Sequence, residues 1–221
     1  MWYAALMGSG NALIEQIASG EAPSLVPLSV DQYHVMLEKG ILRDGDAIEL
    51  VQGLLVRRNR AAAGENEMTH GPRHAQVMSR LLKLERALEP LACHLRVQLP
   101  VTLSGIDEPE PDLAIVKGSV EDFANRHPGP ADLLAVFEVS DSSLGYDRGT
   151  KCRVYAAAGV PVYVIVNLPD QRIERYDRPV PGEARYQGHT DHAPGNALVI
   201  PLTAGNALTF TVNEALGGPS R

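Results

Sequence analysis

Leu133-Leu134-Ala135-Val136-Phe137-Glu138-Val139-Ser140 is the stretch on which the reading of this chain turns. From Leu133 to Val139 every residue but one is apolar, which reads as a strand buried on both faces of a sheet flanked by helices. The exception is Glu138. An ionised carboxylate taken out of water without a partner shifts its pKa and neutralises, unless a cation or several donors hold its charge. The sequence around Glu138 therefore has to supply a partner.

Downstream, Asp141, Ser142 and Ser143 read as a turn, and YDRGTKCRVYAAAGV (146–160) predicts a helix from about Asp147 to Ala158, closed by Gly159 and followed by Pro161. Lys151 and Tyr155 are four apart on one helix face, so a lysine in the first turn reaches back over the end of the preceding strand. Upstream, EPEPDLAIVKG (108–118) places Asp112 after Pro111, at the mouth of the apolar strand Leu113 to Val116. Two acids at strand ends with a lysine close behind suit a divalent metal and an activated water for phosphodiester cleavage. Each residue also has a plain structural reading. A Pro-Asp pair is ordinary turn chemistry, a lone helix lysine is usually solvated, and a strand glutamate is often satisfied by hydrogen bonds. The ordered combination is what points to a site.

That combination, together with PLSVDQYHVMLEKGIL (27–42), AIELVQGLLV (47–56), HGPRHAQVMSRLL (70–82), QLPVTL (98–103), the run from His127 to Leu168 and RIERY (172–176), resembles the Uma-two family within the PD-(D/E)XK nuclease superfamily. The resemblance covers about two thirds of the chain. It implies an α/β (α+β) fold with a restriction-endonuclease-like mixed β-sheet core flanked by helices. It also implies that Asp112 and Glu138 are the paired acids, and that Lys151 is the lysine this family carries on the next helix. Many relatives place lysine two residues after the second acid, where this chain has Ser140. Relatives also commonly read Tyr-Trp and end in Asp where this chain has Tyr163-Val164 and Asn167. Glu49 matches an N-terminal acid that joins the site, and His74 a histidine on the first long helix. Residues and resemblance together give a mechanism in which Asp112, Glu138 and the carbonyl of Val139 hold Mg2+ or Mn2+. In it Glu49 completes the shell directly or through water, and Lys151 orients the attacking water. His74, Tyr155, Arg57 and Arg58 are the candidate substrate contacts. The substrate is nucleic acid, with DNA expected, and cutting two strands suggests a homodimer.

Charge runs against that reading: the net charge is −7, with 20 Lys and Arg against 27 Asp and Glu, whereas duplex binding leans on phosphate neutralisation. Positive charge is locally clustered at Arg57, Arg58 and Arg60, then at Arg73, Arg80 and Lys83. A solvated loop and helix face explains these equally well. Two other classes therefore stay open. One is a catalytically silent nuclease-fold protein that binds nucleic acid or a protein partner. The other is a homo-oligomeric interaction protein whose acids are hydrogen-bonded core residues.

At 221 residues the chain can bury one sizeable core, so the expected organisation is a leader at 1–26 and a single domain at 27–221, with 179–221 a β-rich C-terminal extension. No apolar run is long enough to span a bilayer, and Met1 to Gly20 lacks the positively charged start of a secretory signal; a cytoplasmic protein is expected. Cys93 and Cys152 read as buried thiols rather than a disulfide framework. His189 and His192 lie in the polar stretch QGHTDHAPGN (187–196), read as a loop without a zinc site.

The remaining elements follow from patterning. A short helix is expected from Asn11 to Ser19, and Ser29 caps a helix from Val30 to Lys39 stopped by Gly40. Ala47 to Arg58 alternates around Gly53 as a hairpin, and Pro72 opens a long helix to Glu89. Strands are expected at His94–Leu103, Leu113–Val116, Leu133–Ser140, Val162–Leu168, Arg172–Tyr176, Ala197–Pro201 and Ala207–Val212.

Overall fold

The structure, a computed structural model, describes residues 25–43, 46–57 and 71–218. Ser29 opens α1 (Val30–Glu38) through a reciprocal capping box: its hydroxyl accepts from the Gln32 amide at 3.1 Å while the Gln32 side chain accepts from the Ser29 amide at 2.9 Å. Strands β1 (Ile48–Val51) and β2 (Leu54–Arg57) form an antiparallel hairpin about Gln52 and Gly53. Both turn residues have positive φ, at 53° and 71°, as a two-residue hairpin requires. Gly53 is further constrained, because a Cβ there would lie 2.2 Å from that of Pro27.

The long helix anticipated from Pro72 is helical throughout but changes pitch: α2 (Pro72–Leu81), a 3₁₀ turn (Leu82–Leu84), α3 (Glu85–Leu88) and a second 3₁₀ turn ending at Leu91. Then come β3 (Cys93–Val97), β4 (Leu113–Lys117), β5 (Leu133–Ser140), β6 (Val162–Asn167), β7 (Arg172–Val180) and β8 (Arg185–His192), which hydrogen-bond in that order as a six-stranded sheet. All neighbours are antiparallel except β5 and β6. A parallel pair needs a crossover, supplied by α4 (Leu144–Tyr146), a π-helical turn (Asp147–Lys151) and α5 (Cys152–Ala157), which run on without a break. The helix thus begins three residues earlier than its sequence pattern suggests, and Lys151 closes the π turn instead of standing in the first turn.

Two other expectations are corrected. Strand β3 stops at Val97, not Leu103, because Gln98 takes a left-handed φ of 49° and Pro100 offers no amide to a ladder. The chain then swings across the sheet, burying Val101 and Leu103. The 187–196 segment is not a loop through most of its length. Residues up to His192 belong to β8, with Gly188 opposite Asp177 and His189 opposite Tyr176. An edge strand tolerates polar residues. The rings of Tyr176 and His189 stack at 4.4 Å, and Gly188 lies so close to Asp177 that a Cβ would come within 2.0 Å of its Oδ1.

The sheet is covered on both faces. Val77, Leu81, Leu113, Phe137 and Val166 face one core, which also takes in Leu198, Ile200, Leu208 and Phe210 of the hairpin β9 (Ala197–Pro201) and β10 (Ala207–Thr211), and Val212 of α6 (Val212–Leu216). The hairpin β9–β10 and α6 therefore pack into the main core. Val136, Val154, Tyr155, Tyr163 and Ile165 form the second core under α5. By strand alternation Glu138 and Ser140 share the side of Val136, under the crossover helix.

Candidate active site

Glu138 is 7 % exposed, and the partner its sequence context demands is Lys151, itself 3 % exposed. The Lys151 ammonium lies 3.1 Å from Glu138 Oε1 and 2.7 Å from Glu49 Oε2. Tyr155, one helical turn on, donates its hydroxyl to the same Glu138 oxygen at 2.9 Å. Glu49 arrives from β1, where its Oε2 also accepts from the Glu110 amide at 3.0 Å and its Oε1 from the Tyr146 hydroxyl at 3.4 Å. Asp112, just before β4, is pinned to the neighbouring strand: its Oδ2 accepts from the Val139 amide at 2.8 Å and lies 3.1 Å from His74 Nε2 of α2. Gln98 reaches the other oxygen at 3.5 Å. Residues distant in sequence thus meet at the ends of β1, β4 and β5.

The electrostatics follow from burial and from an excess of acid. Burial raises Glu138 to about 8 against the pull of Lys151, with Asp147, Asp112 and Glu49 adding to the rise. Burial disfavours the Lys151 charge, but Glu138 and Glu49 outweigh it and hold the ammonium well above its ordinary range, so Lys151 is a fixed cation. Burial also pushes Asp112 upward, yet the His74 hydrogen bond, the His74 charge, the Val139 amide and Gln98 together bring it below the usual carboxylate range.

Asp147, 4 % exposed, was not singled out in the sequence. It accepts from the hydroxyls of Ser140 and Ser143 at 2.6 Å each, and its carbonyl accepts from Tyr163 at 3.1 Å. Burial raises its pKa, opposed by the two serines and Lys151. The available signal was the Ser143–Asp147 spacing, one turn apart next to a strand serine. Nothing in the sequence marks Tyr146.

A divalent cation fits this donor set. Glu49, Asp112 and Glu138 outnumber the Lys151 ammonium among them, so the donor set has carboxylate charge to spare for a cation. Asp112 and Glu138 stand on adjacent strands, and hard carboxylate oxygens suit Mg2+ or Mn2+. Glu49 is separated from the pair by the Lys151 ammonium, and among the described residues the three carboxylates do not converge within 4.8 Å. The residues that could hold an ion directly are therefore Asp112, Glu138 and the Val139 backbone.

The remaining expected contacts divide. His74 reaches the site through Asp112 and is buried. Tyr155 is fully buried with its hydroxyl on Glu138, so it positions the carboxylate instead of meeting a substrate. Arg57 is exposed at the end of β2. Arg58, like Arg60 and the helix expected at Asn11–Ser19, lies outside the described residues. The Arg73–Arg80–Lys83 group is mostly structural: Arg73 donates to the Leu168 carbonyl at 2.6 Å and Arg80 to that of Leu216 at 2.7 Å.

Comparison with known proteins agrees with this architecture. A solved structure described as "a putative nuclease belonging to DUF820" from Anabaena variabilis superimposes with a TM-score of 0.61, covering 86 % of this chain and 98 % of that one at 13 % identity, a likeness of fold. The DNA repair protein RecO of Alkalilimnicola ehrlichii is 33 % identical over 121 residues, 52 % of this chain. This chain spans only 39 % of that relative's length. The family model Uma2, described as "Putative restriction endonuclease", matches residues 30–213, and the chain accordingly belongs to the Uma2 family, whose nuclease-like fold it carries.

Proposed function

We propose that the protein is a divalent-metal-dependent endonuclease that hydrolyses phosphodiester bonds in DNA. The observation that carries this reading is the buried Lys151 ammonium lying against Glu138 while Asp112 is pinned by the Val139 amide one residue away. Asp112, Glu138 and the Val139 carbonyl would hold Mg2+ or Mn2+. When bound, the ion supplies Lewis acidity at the phosphate and lowers the pKa of its water. Lys151 keeps its proton throughout, so it orients the attacking water and offsets charge on the scissile phosphate as a donor, not as a base. Glu49 and Tyr155 fix the position of Lys151 and Glu138, and His74 fixes Asp112. In-line attack then leaves a 5′-phosphate and a 3′-hydroxyl. The name of the RecO relative, a DNA repair protein, supports DNA over RNA. A homodimer in the cytoplasm is the setting we propose; among the described residues no helix is long and apolar enough to cross a membrane.

A second reading, a silent nuclease fold that binds without cutting, is favoured by the net charge of −7 and by the ion pair that occupies Glu138 Oε1. One experiment separates the two. Labelled duplex, single-stranded and branched DNA, and RNA, are incubated with protein in Mg2+ and in Mn2+, with Glu138→Ala alongside. Cleavage by the parent alone supports the nuclease, and equal cleavage by both refutes the assigned site. Binding without cleavage in either metal moves the reading to the silent binder.

A further inference from the structure

A second set of donors converges away from Asp112 and Glu138. His34 of α1, Glu108 of the segment leading into β4, and His127 of the β4–β5 connection each offer one ligand atom, all within 4.8 Å of one another. We propose that His34, Glu108 and His127 form a binding site for a borderline transition-metal ion of the Zn2+ class, which clamps α1 and the β4–β5 connection onto the segment that delivers Asp112.

Glu108 is the anchor. It is 1 % exposed, its Oε2 accepts from Thr102 at 2.6 Å, and its Oε1 lies 2.6 Å from His34 Nε2. Those two partners already satisfy the carboxylate. The approach of a second imidazole, with the rings of His34 and His127 6.2 Å apart edge to face, is surplus to what a buried glutamate needs. Two imidazoles and one carboxylate form a mixed nitrogen and oxygen set that suits Zn2+ or Co2+ and disfavours Mg2+, which takes oxygen ligands. The His34–Glu108 separation is shorter than two ligands of one ion adopt, so a proton now occupies the ion's place. On binding, Nε2 gives up its proton, to solvent from an imidazolium or by the shift to the Nδ1–H tautomer from a neutral ring, and Nε2 and Oε1 part to admit the metal. Three protein ligands leave a fourth position to water.

Arg96 competes. Its Nη2 donates to His127 Nδ1 at 2.7 Å and its Nε to the Pro100 carbonyl at 3.0 Å. Ligation through either nitrogen of His127 requires the guanidinium to swing aside, because ligation at Nε2 puts the ring proton on Nδ1. The clamp would act on the first site through the backbone. The Glu108 amide donates to Leu50 at 2.8 Å, and two residues on the Glu110 amide holds Glu49. The other mixed cluster, Glu174, His189 and Asp191, is already met by Arg148 and Arg172 and serves as a control.

The test uses the full chain stripped with chelator and titrated with Co2+, following the visible d–d band, and then with Zn2+ against a chromophoric chelator. The first equivalent of Co2+ should give a band in the parent, in Glu138→Gln and in His189→Gln. His34→Gln and His127→Gln should lose the band and weaken Zn2+ by at least about a hundredfold, the upper end of what loss of an outer-shell partner costs. His34 is two-fifths exposed, so its replacement leaves the fold intact, checked by melting without metal. Arg96→Met, which removes the competitor, should tighten Zn2+. A band that survives both histidine substitutions, a band lost in Glu138→Gln or His189→Gln, no band at saturating Co2+, or weaker Zn2+ binding in Arg96→Met overturns the site.

Discussion

Asp112 and Glu138 are neighbours across one strand pair, yet their protonation is pushed in opposite directions, which makes each separately testable. Glu138, at about 8 in the fold against an ordinary 4.5, binds a proton more tightly folded than unfolded. Its contribution to stability is therefore complete below about pH 4.5 and is lost as pH rises through 8. Asp112, held below its ordinary 3.8, contributes above that pH and loses its contribution as pH falls below it. In chelator, the parent Tm should decline between pH 5 and 8 and Glu138→Gln should flatten that decline. Added Mn2+ should raise the parent Tm at pH 8 and leave the variant unchanged. A parent profile already flat from pH 5 to 8 would contradict the buried, proton-hungry Glu138. Lys151 gives the complementary test. Lys151→Met strands Glu49 and Glu138 without their shared cation, which should cost about 3–5 kcal/mol in urea unfolding at pH 8. The double variant with Glu49→Gln should recover part of it.

At the scale of elements, legibility tracked how much of an element's identity its own residues carry. Strands β5 and β6 are apolar runs buried on both faces and were readable outright, as was the hairpin fixed by Gly53. Strand β8 was not, because its place depends on a partner: Tyr176 for His189 and a close approach at Gly188. The early stop of β3 turns on the left-handed backbone of one glutamine, which Gln98 does not advertise. At the site, Glu138 could be nominated because burying charge is costly, and Asp112 and Lys151 by their order around it and the family resemblance that order carries, whereas the enclosure of Tyr155 and the role of Asp147 depend on packing. The π turn is the clearest case. π turns recur at functional sites, and here one sets the register of Lys151, held at its start by Ser140 and Ser143 on Asp147. Ser140→Ala should cost about 1–3 kcal/mol by leaving a buried carboxylate one donor short, with faster amide exchange across 147–152. Exchange unchanged there, whatever the stability, would mean that the serine pair does not hold the turn.

For the whole molecule, charge and metal have to be considered together. The chain carries seven more acids than bases, and two of the arginines that form its α2 cluster are spent on the carbonyls of Leu168 and Leu216. The acidic balance opposes the approach of a duplex and the release of its counterions. Binding should therefore depend only weakly on salt, with a log–log slope shallower than about −3, the value for roughly three neutralised phosphates. The two kinds of binder also respond oppositely to divalent ions. A protein that holds DNA by a basic surface loses affinity when a divalent cation is added, because the ion competes for phosphate. A protein whose acids recruit the ion as the bridge gains affinity. Fluorescence anisotropy of a labelled duplex, with Ca2+ replacing Mg2+ so that binding is read without cleavage, should show tighter binding as Ca2+ rises at constant ionic strength. The gain should vanish in Glu138→Gln, which removes one of the bridging carboxylates. Affinity that falls with Ca2+ in the parent would show that contact is made through a basic surface and that the Asp112–Glu138 pair is not where the phosphate is met.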